Sequence, residues 1–293
     1  MEDTAGAGRT VLVGVDEGRE QRSVVRYAAR QAALHAAALH LVHVVRPEAS
    51  GKEALRAGVE REATVVEPLA QLIRTEFPDL AVSSEAVSGQ PAAVLIDRSS
   101  HVTQLVVGHR GSGGFPRLPL GSVSWQVATH AACPVIVVRP GEEPERADAP
   151  NRVAVGVDVV NIAGQALDQA YREAELRGAH LTLLHANFHL SELPTGPAMA
   201  APNFEALDAG ARRVLTAEAV ERRERHPDVE VGLRVERVRA STLLTEASRR
   251  SSLLVVGSHG RTGLQRLILG SVSAEVLHTA SCPVMVVPLS AGA

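Results

Sequence analysis

Short runs of valine, leucine and isoleucine recur along the chain without polar alternation, separated by alanine-rich stretches that carry apolar residues at helical spacing. An unbroken apolar run suits a parallel strand buried on both faces, whereas alternation would mark a sheet with one wet face. Such runs predict strands over Thr10–Asp16, Leu39–Val45, Ala81–Val87, Gln104–His109 and Val135–Arg139. Helical patterns fill the intervals Gln21–Ala37, Lys52–Glu76, Pro91–Ser99 and Gly121–Ala131. The series begins again with strands near Arg152–Asp158, His180–His185, Glu230–Glu236, Leu253–Ser258 and Val284–Val287. Strands alternating with helices imply an α/β chain of doubly wound parallel sheets, because right-handed crossovers place helices on both faces.

The second series is a copy of the first. Val11-Leu-Val-Gly-Val-Asp16 returns as Val153-Ala-Val-Gly-Val-Asp158, 142 residues later. Leu105-Val-Val-Gly108, Leu120-Gly-Ser-Val-Ser124 and Cys133-Pro-Val return 149 residues later, as Leu254-Val-Val-Gly257, Leu269-Gly-Ser-Val-Ser273 and Cys282-Pro-Val. The growth in offset implies an insertion in the second copy, and His189 to Pro202, rich in proline, is the place for it. Pro140 to Pro150 reads as a polar, proline-rich linker. Two tandem domains follow, 9–140 and 151–289.

Ligands on such sheets sit beyond the carboxyl ends of the strands, where strand order reverses. There the first copy has Gly108-His-Arg-Gly111, nine residues, then Gly121-Ser122; the second has Gly257-Ser-His-Gly260, nine residues, then Gly270-Ser271. Glycines at a strand exit can take positive φ and turn N–H groups to a ligand without a Cβ in the way. Gly121-Ser122 and Gly270-Ser271 open helices whose unpaired N–H groups and dipole favour an anion. Ser122 and Ser271, with Ser124 and Ser273 as second candidates, can donate hydroxyls to phosphate. Arg117 and Arg266 share a register and can supply fixed charge. Asp16 and Asp158 end buried strands, where they suit a hydrogen bond to ribose or adenine, a magnesium contact, or a helix N-cap. Gly14 and Gly156, two residues earlier, relieve crowding beside the loop.

Composition narrows the ligand. Lys52 is the only lysine, which excludes a Walker-type loop, since neither glycine loop contains the required lysine. Aromatic residues are 2% of the chain and the net charge is -3, so neither base-stacking platforms nor a basic nucleic-acid footprint is present. No apolar run is long enough to span a membrane and no signal pattern is visible, so a cytoplasmic protein is expected. Cys133 and Cys282 read as small buried thiols. His40 and His43 lie three apart on a strand and make a poor metal pair, and His185 and His189 are read as structural. The expectation is therefore no catalytic residues and no metal ligands.

The G-x2-G-x9-G-[ST] pattern, found twice, resembles the ATP-binding signature of the universal stress protein family, as do the strand-end aspartates and the Cys-Pro-Val segments. The resemblance runs from about Arg9 to Pro288 and implies a tandem pair of such domains. Each would be a five-stranded sheet of order 3-2-1-4-5 with ATP, with or without Mg2+, at the switch point. It places adenine and ribose on Val15, Asp16, Val44 and Val107, and on Val157, Asp158, Ala186 and Val256. It places phosphates on Gly108, Arg110, Gly111, Gly121, Ser122, Val123 and Ser124, and on Gly257, His259, Gly260, Gly270, Ser271, Val272 and Ser273. It also implies a nucleotide in each domain, pairing of the two halves within one chain, possible pairing of whole chains, and a protein partner of unknown identity. The family's serine after the strand-end aspartate is missing, Arg110 stands against His259, and Pro116 and Pro119 stiffen the first loop only. Those departures argue against equal affinity at the two sites.

Three functional classes remain open from the sequence: a nucleotide-dependent regulatory or stress-response protein, a slow ATPase or ATP-using enzyme, and a scaffold with empty loops. Phosphoryl transfer wants a positioned base and metal-holding carboxylates, and each copy offers one aspartate. The regulatory binder is the expected class.

Overall fold

The computed structural model describes residues 9–17, 21–46, 65–110, 120–139, 151–187, 203–258 and 269–288, and these fall into two compact units. The linker from Pro140 to Pro150, the segment from His189 to Pro202, and residues Gly111, Arg117, His259, Gly260 and Arg266 lie outside the described residues.

In the first unit the order is β1 (Thr10–Val15), α1 (Gln21–Leu34), β2 (Ala38–Val45), α2 (65–76), β3 (Val82–Ser88), α3 (Pro91–Arg98), β4 (Gln104–Gly108), α4 (Ser122–His130) and β5 (Val135–Val138). A short 3-10 turn, Ser99–His101, follows α3. The strands are parallel and ordered 3-2-1-4-5, with Val11 of β1 opposite Leu39 of β2 on one side and Gln104 of β4 on the other. The second unit repeats this with β6 (Arg152–Gly156), α5 (Gly164–Arg177), β7 (His180–Ala186), α6 (Phe204–Arg223), β8 (Val231–Glu236), α7 (Ala240–Ser248), β9 (Leu253–Gly257), α8 (Ser271–Thr279) and β10 (Val284–Val287). Its parallel strands run β8-β7-β6-β9-β10, the same order.

Burial explains the apolar runs. Val11, Leu12 and Val13 of β1 and Leu105 and Val106 of β4 are sealed, as the central strands of a doubly covered sheet must be. α1 presses Val24, Val25, Ala28, Ala29 and Ala32 onto the sheet, and the alanines let its backbone lie close. α5 does the same with Ala166, Leu167, Ala170, Tyr171 and Ala174. α5 then ends on Gly178 at φ 55, the left-handed conformation in which helices commonly stop. Ala36, 142 residues earlier, takes φ 47 after α1 and carries the Cβ penalty that glycine avoids.

Several strands stop one or two residues short of their sequence expectation: β1 at Val15, β4 at Gly108, β6 at Gly156 and β9 at Gly257. The ladder runs out there, so Asp16, His109, Asp158 and Ser258 stand just beyond the sheet. β1 has β2 on one side and β4 on the other, each joined by a crossover, so the crevice at their carboxyl ends is the switch point.

Candidate functional sites

Each unit has a cavity at that crevice. The first, about 450 Å³, is bounded by the end of β1 (Gly14, Val15, Asp16), the end of β2 (Val44), the end of β4 (Val107, Gly108, Arg110) and the start of α4 (Gly121, Ser122, Val123, Ser124). The second, about 330 Å³, is bounded by Gly156, Val157 and Asp158, by Ala186, by Val256 and Gly257, and by Gly270, Ser271, Val272 and Ser273. Both volumes fall in the range of small-molecule pockets, about 300–1,000 Å³. Every ligand-contact residue expected from the sequence that the structure describes lines one cavity or the other.

The helix starts give these cavities their polarity. The first intrahelical bond of α4 runs from Trp125 N to Gly121 O at 2.9 Å, and that of α8 from Ala274 N to Gly270 O at 2.8 Å. The amides of Ser122, Val123 and Ser124, and of Ser271, Val272 and Ser273, precede those bonds and have no partner within the helix. Ser122 and Ser271 are exposed at the mouths of the cavities. Three such donors at the positive end of a helix dipole suit an anion.

The geometry departs from the sequence expectation in five ways. Gly121 sits at φ -67 and Gly270 at φ -57, and Gly108 and Gly257 are not among the positive-φ residues, so left-handed backbone is not why glycine stands there. A Cβ on Gly121 would lie 3.3 Å from the His109 carbonyl oxygen, and one on Gly108 3.3 Å from that of Arg110, so close approach is the reason. The amides of Gly121 and Gly270 are consumed by His109 O and Ser258 O, each at 2.8 Å, which leaves the donor role to the residues after them. Ser124 Oγ donates to Gly108 O at 2.6 Å and Ser273 Oγ to Gly257 O at 2.7 Å; these hydroxyls pin the helix to the strand rather than donating to a ligand. Asp158 does not cap α5, which starts at Gly164 behind Ala163; its Oδ1 accepts from Val160 N at 3.1 Å in a tight turn. Asp16 Oδ1 accepts from Gln21 Nε2 at 2.6 Å, at the first residue of α1. Gly14 and Gly156 face Leu95 and Leu244, where a Cβ would come within 2.8 and 3.1 Å, so they relieve crowding against α3 and α7 rather than against the loop.

Two histidines join the sites that the sequence reading left as structural. His43 Nδ1 lies 2.8 Å from Val15 O, and His185 Nδ1 lies 2.9 Å from Val157 O, so each ring steadies the carbonyl next to the strand-end aspartate. Both line their cavities. Their shared 142-residue spacing, the same as that of the aspartates, was the available signal. Further lining differs between the copies: Glu17, Gln21, Arg46 and Pro91 in the first, Asn161, Ala163, Ala240 and Leu243 in the second. Among the described residues no cluster of three or more metal-ligating side chains occurs.

The model of the universal stress protein family matches residues 8–139 and again 150–288. The chain belongs to the universal stress protein family. It carries two such domains in tandem. A universal stress protein of Mycolicibacterium smegmatis is 35% identical over 287 residues, covering 94% of this chain and 96% of the relative. One of Mycobacterium tuberculosis is 34% identical over 293 residues, covering 94% and 95%. A solved universal stress protein of Archaeoglobus fulgidus shares the fold with a TM-score of 0.72 at 20% identity, over 97% of this chain and all of the other. In this universal stress protein both cysteines are buried thiols outside any disulfide, and burial pushes the Cys133 thiol up to about 12, away from the thiolate form. No helix among the described residues is long and apolar enough to cross a membrane.

Proposed function

We propose that the chain binds an adenine nucleotide in each domain, with ATP and its Mg2+ as the first choice, and that occupancy sets its conformation or its choice of protein partner. The observation that carries this reading is the same in both units: three helix-start amides with no partner among the described residues line, together with a strand-end aspartate, a cavity of ligand size. The amides of Ser122–Ser124 and Ser271–Ser273 take the phosphates, while Val15, Val44 and Val107, or Val157, Ala186 and Val256, pack the base between aliphatic side chains. Asp16 and Asp158 stand within reach of the ribose hydroxyls. Magnesium would travel on phosphate oxygens and water, which is how it is commonly held beside nucleotides.

We read the protein as a binder rather than a catalyst. Phosphoryl transfer calls for a positioned base and metal-holding carboxylates, and the described lining offers Asp16 with Glu17 in one cavity and Asp158 in the other. The test is mass spectrometry of nucleotide released by denaturing freshly purified protein, together with thermal melts with and without ATP. Co-purifying adenine nucleotide, or a rise in Tm with ATP, supports binding. Neither signal would leave a scaffold, and linear phosphate release over many turnovers would make it an enzyme.

A further inference from the structure

His185, which lines the second cavity, begins a hydrogen-bond chain that the first domain's sequence does not repeat. His185, at the end of β7, is 4% exposed. Its Nδ1 lies 2.9 Å from Val157 O and its Nε2 2.8 Å from Asn187 Oδ1. The direction of the Asn187 amide is set at its other end, where Nδ2 donates to Asp208 Oδ1 at 2.7 Å. Asp208 is held below the ordinary aspartate range, first by that amide and then by Arg237, whose Nε lies 2.9 Å from Oδ2. A carboxylate only accepts, so it takes the NH2 end of Asn187 and leaves the carbonyl end for His185. The ring therefore meets two oxygen atoms that cannot donate. A neutral imidazole has one N–H and would set a lone pair against one of them, whereas an imidazolium donates to both.

We infer that His185 is a buried imidazolium, and that it gives the second cavity the fixed positive charge that favours an anionic ligand there. The second clause rests on the nucleotide-binding reading above. Around the ring, β6 is followed by Asp158, α6 brings Asp208 and Arg212, and Arg237 follows β8. Glu236 of β8 is tied to Arg234, which also holds Glu246 of α7, and Asp168 of α5 is tied to Arg222. Asp158 and Asp208 are thus the carboxylates that offset the charge. The two cavities differ in what else supplies it. Arg46 and Arg110 line the first, while no arginine or lysine lines the second among the described residues. Val45 stands in the first copy where Asn187 stands in the second. With both ring N–H groups used by the protein, His185 offers a ligand charge and no hydrogen bond, so it separates anions from neutral molecules of the same shape.

Histidine 15N spectra of the full-length protein at neutral pH, with His185 assigned by the signal lost in His185→Gln, read the charge without any ligand. Both ring nitrogens at imidazolium shifts are expected; the split pattern of a neutral tautomer overturns the inference. The role is read by calorimetry in full-length protein carrying Gly121→Val, so that only the second site reports. There Asn187→Val should weaken ATP about tenfold while adenosine changes by less than about twofold, because only the charged ligand feels the ring. Equal loss for both ligands overturns the role. Where Asn187→Val does not fold, Asp208→Asn removes the carboxylate that orients the amide and should give the same selective loss. If neither ATP nor adenosine binds the unsubstituted chain, the nucleotide reading falls, and the 15N pattern still decides the charge on His185.

Discussion

Single atoms decide what these sites can hold. At Gly121 a side chain would press on the His109 carbonyl, beside three amides that have no partner within α4, so the missing Cβ keeps the proposed anion site open. Away from the cavities, single residues set the response to pH. Glu85 on β3 is held below the ordinary glutamate range by Arg98 first and by His40 after it. Its folded value lies under its unfolded one, so the stability it contributes is present above about 4.5 and is lost as pH falls through the depressed value. At 37% exposure the side chain is screened by water, so the effect is small. Thermal melts should show Glu85→Gln less stable than the unsubstituted protein at neutral pH, with the gap closing on acidification below that window. Asp16, Asp158 and the glycines were legible because each broke the pattern around it. His43 and His185 were not, because a histidine on an apolar strand has many uses and only the carbonyl beside it shows which one applies.

Elements are joined by pairs of contacts that the duplication preserved. The end of α3 is tied to the turn after α4 through Ser99, whose buried Oγ accepts from Ala132 N at 2.8 Å and donates to Ile96 O. Ser248 does the same for α7 and Ser281 N, 149 residues on. Replacing either serine with alanine removes both hydrogen bonds of a buried hydroxyl, and urea denaturation should show a loss of about 0.5–1.5 kcal/mol in each case. The helix ends diverged instead. Ala36 holds the left-handed position that Gly178 holds in the second copy, where nothing within 4 Å would obstruct a Cβ and the cost of a side chain is backbone alone. Ala36→Gly should therefore raise stability, and Gly178→Ala should lower it, by about 0.5–1 kcal/mol in the same assay. Strand existence and order were readable from apolar runs, because burial on both faces leaves only one kind of residue. Strand ends were not, since Asp16 and His109 leave the ladder through pairing limits that composition does not record.

At the scale of the whole molecule, one architecture occurs twice and its two crevices are lined by different side chains. The first is lined by Arg46 and Arg110 and the second by Leu243, Leu244 and His185, so one scaffold offers two unequal sites. The sequence argues against equal affinity from Arg110, His259 and the loop prolines, of which only Arg110 falls among the described residues; the lining adds differences at the β2 and β7 ends and at α7. The central claim is that the helix-start amides of each domain hold a polyphosphate. Native mass spectrometry of the full chain titrated with ATP tests it most directly. Two nucleotide increments per chain are expected, one lost in Gly121→Val and the other in Gly270→Val, with circular dichroism unchanged. A chain that takes up no nucleotide, or one that keeps both increments in the double variant, would contradict it.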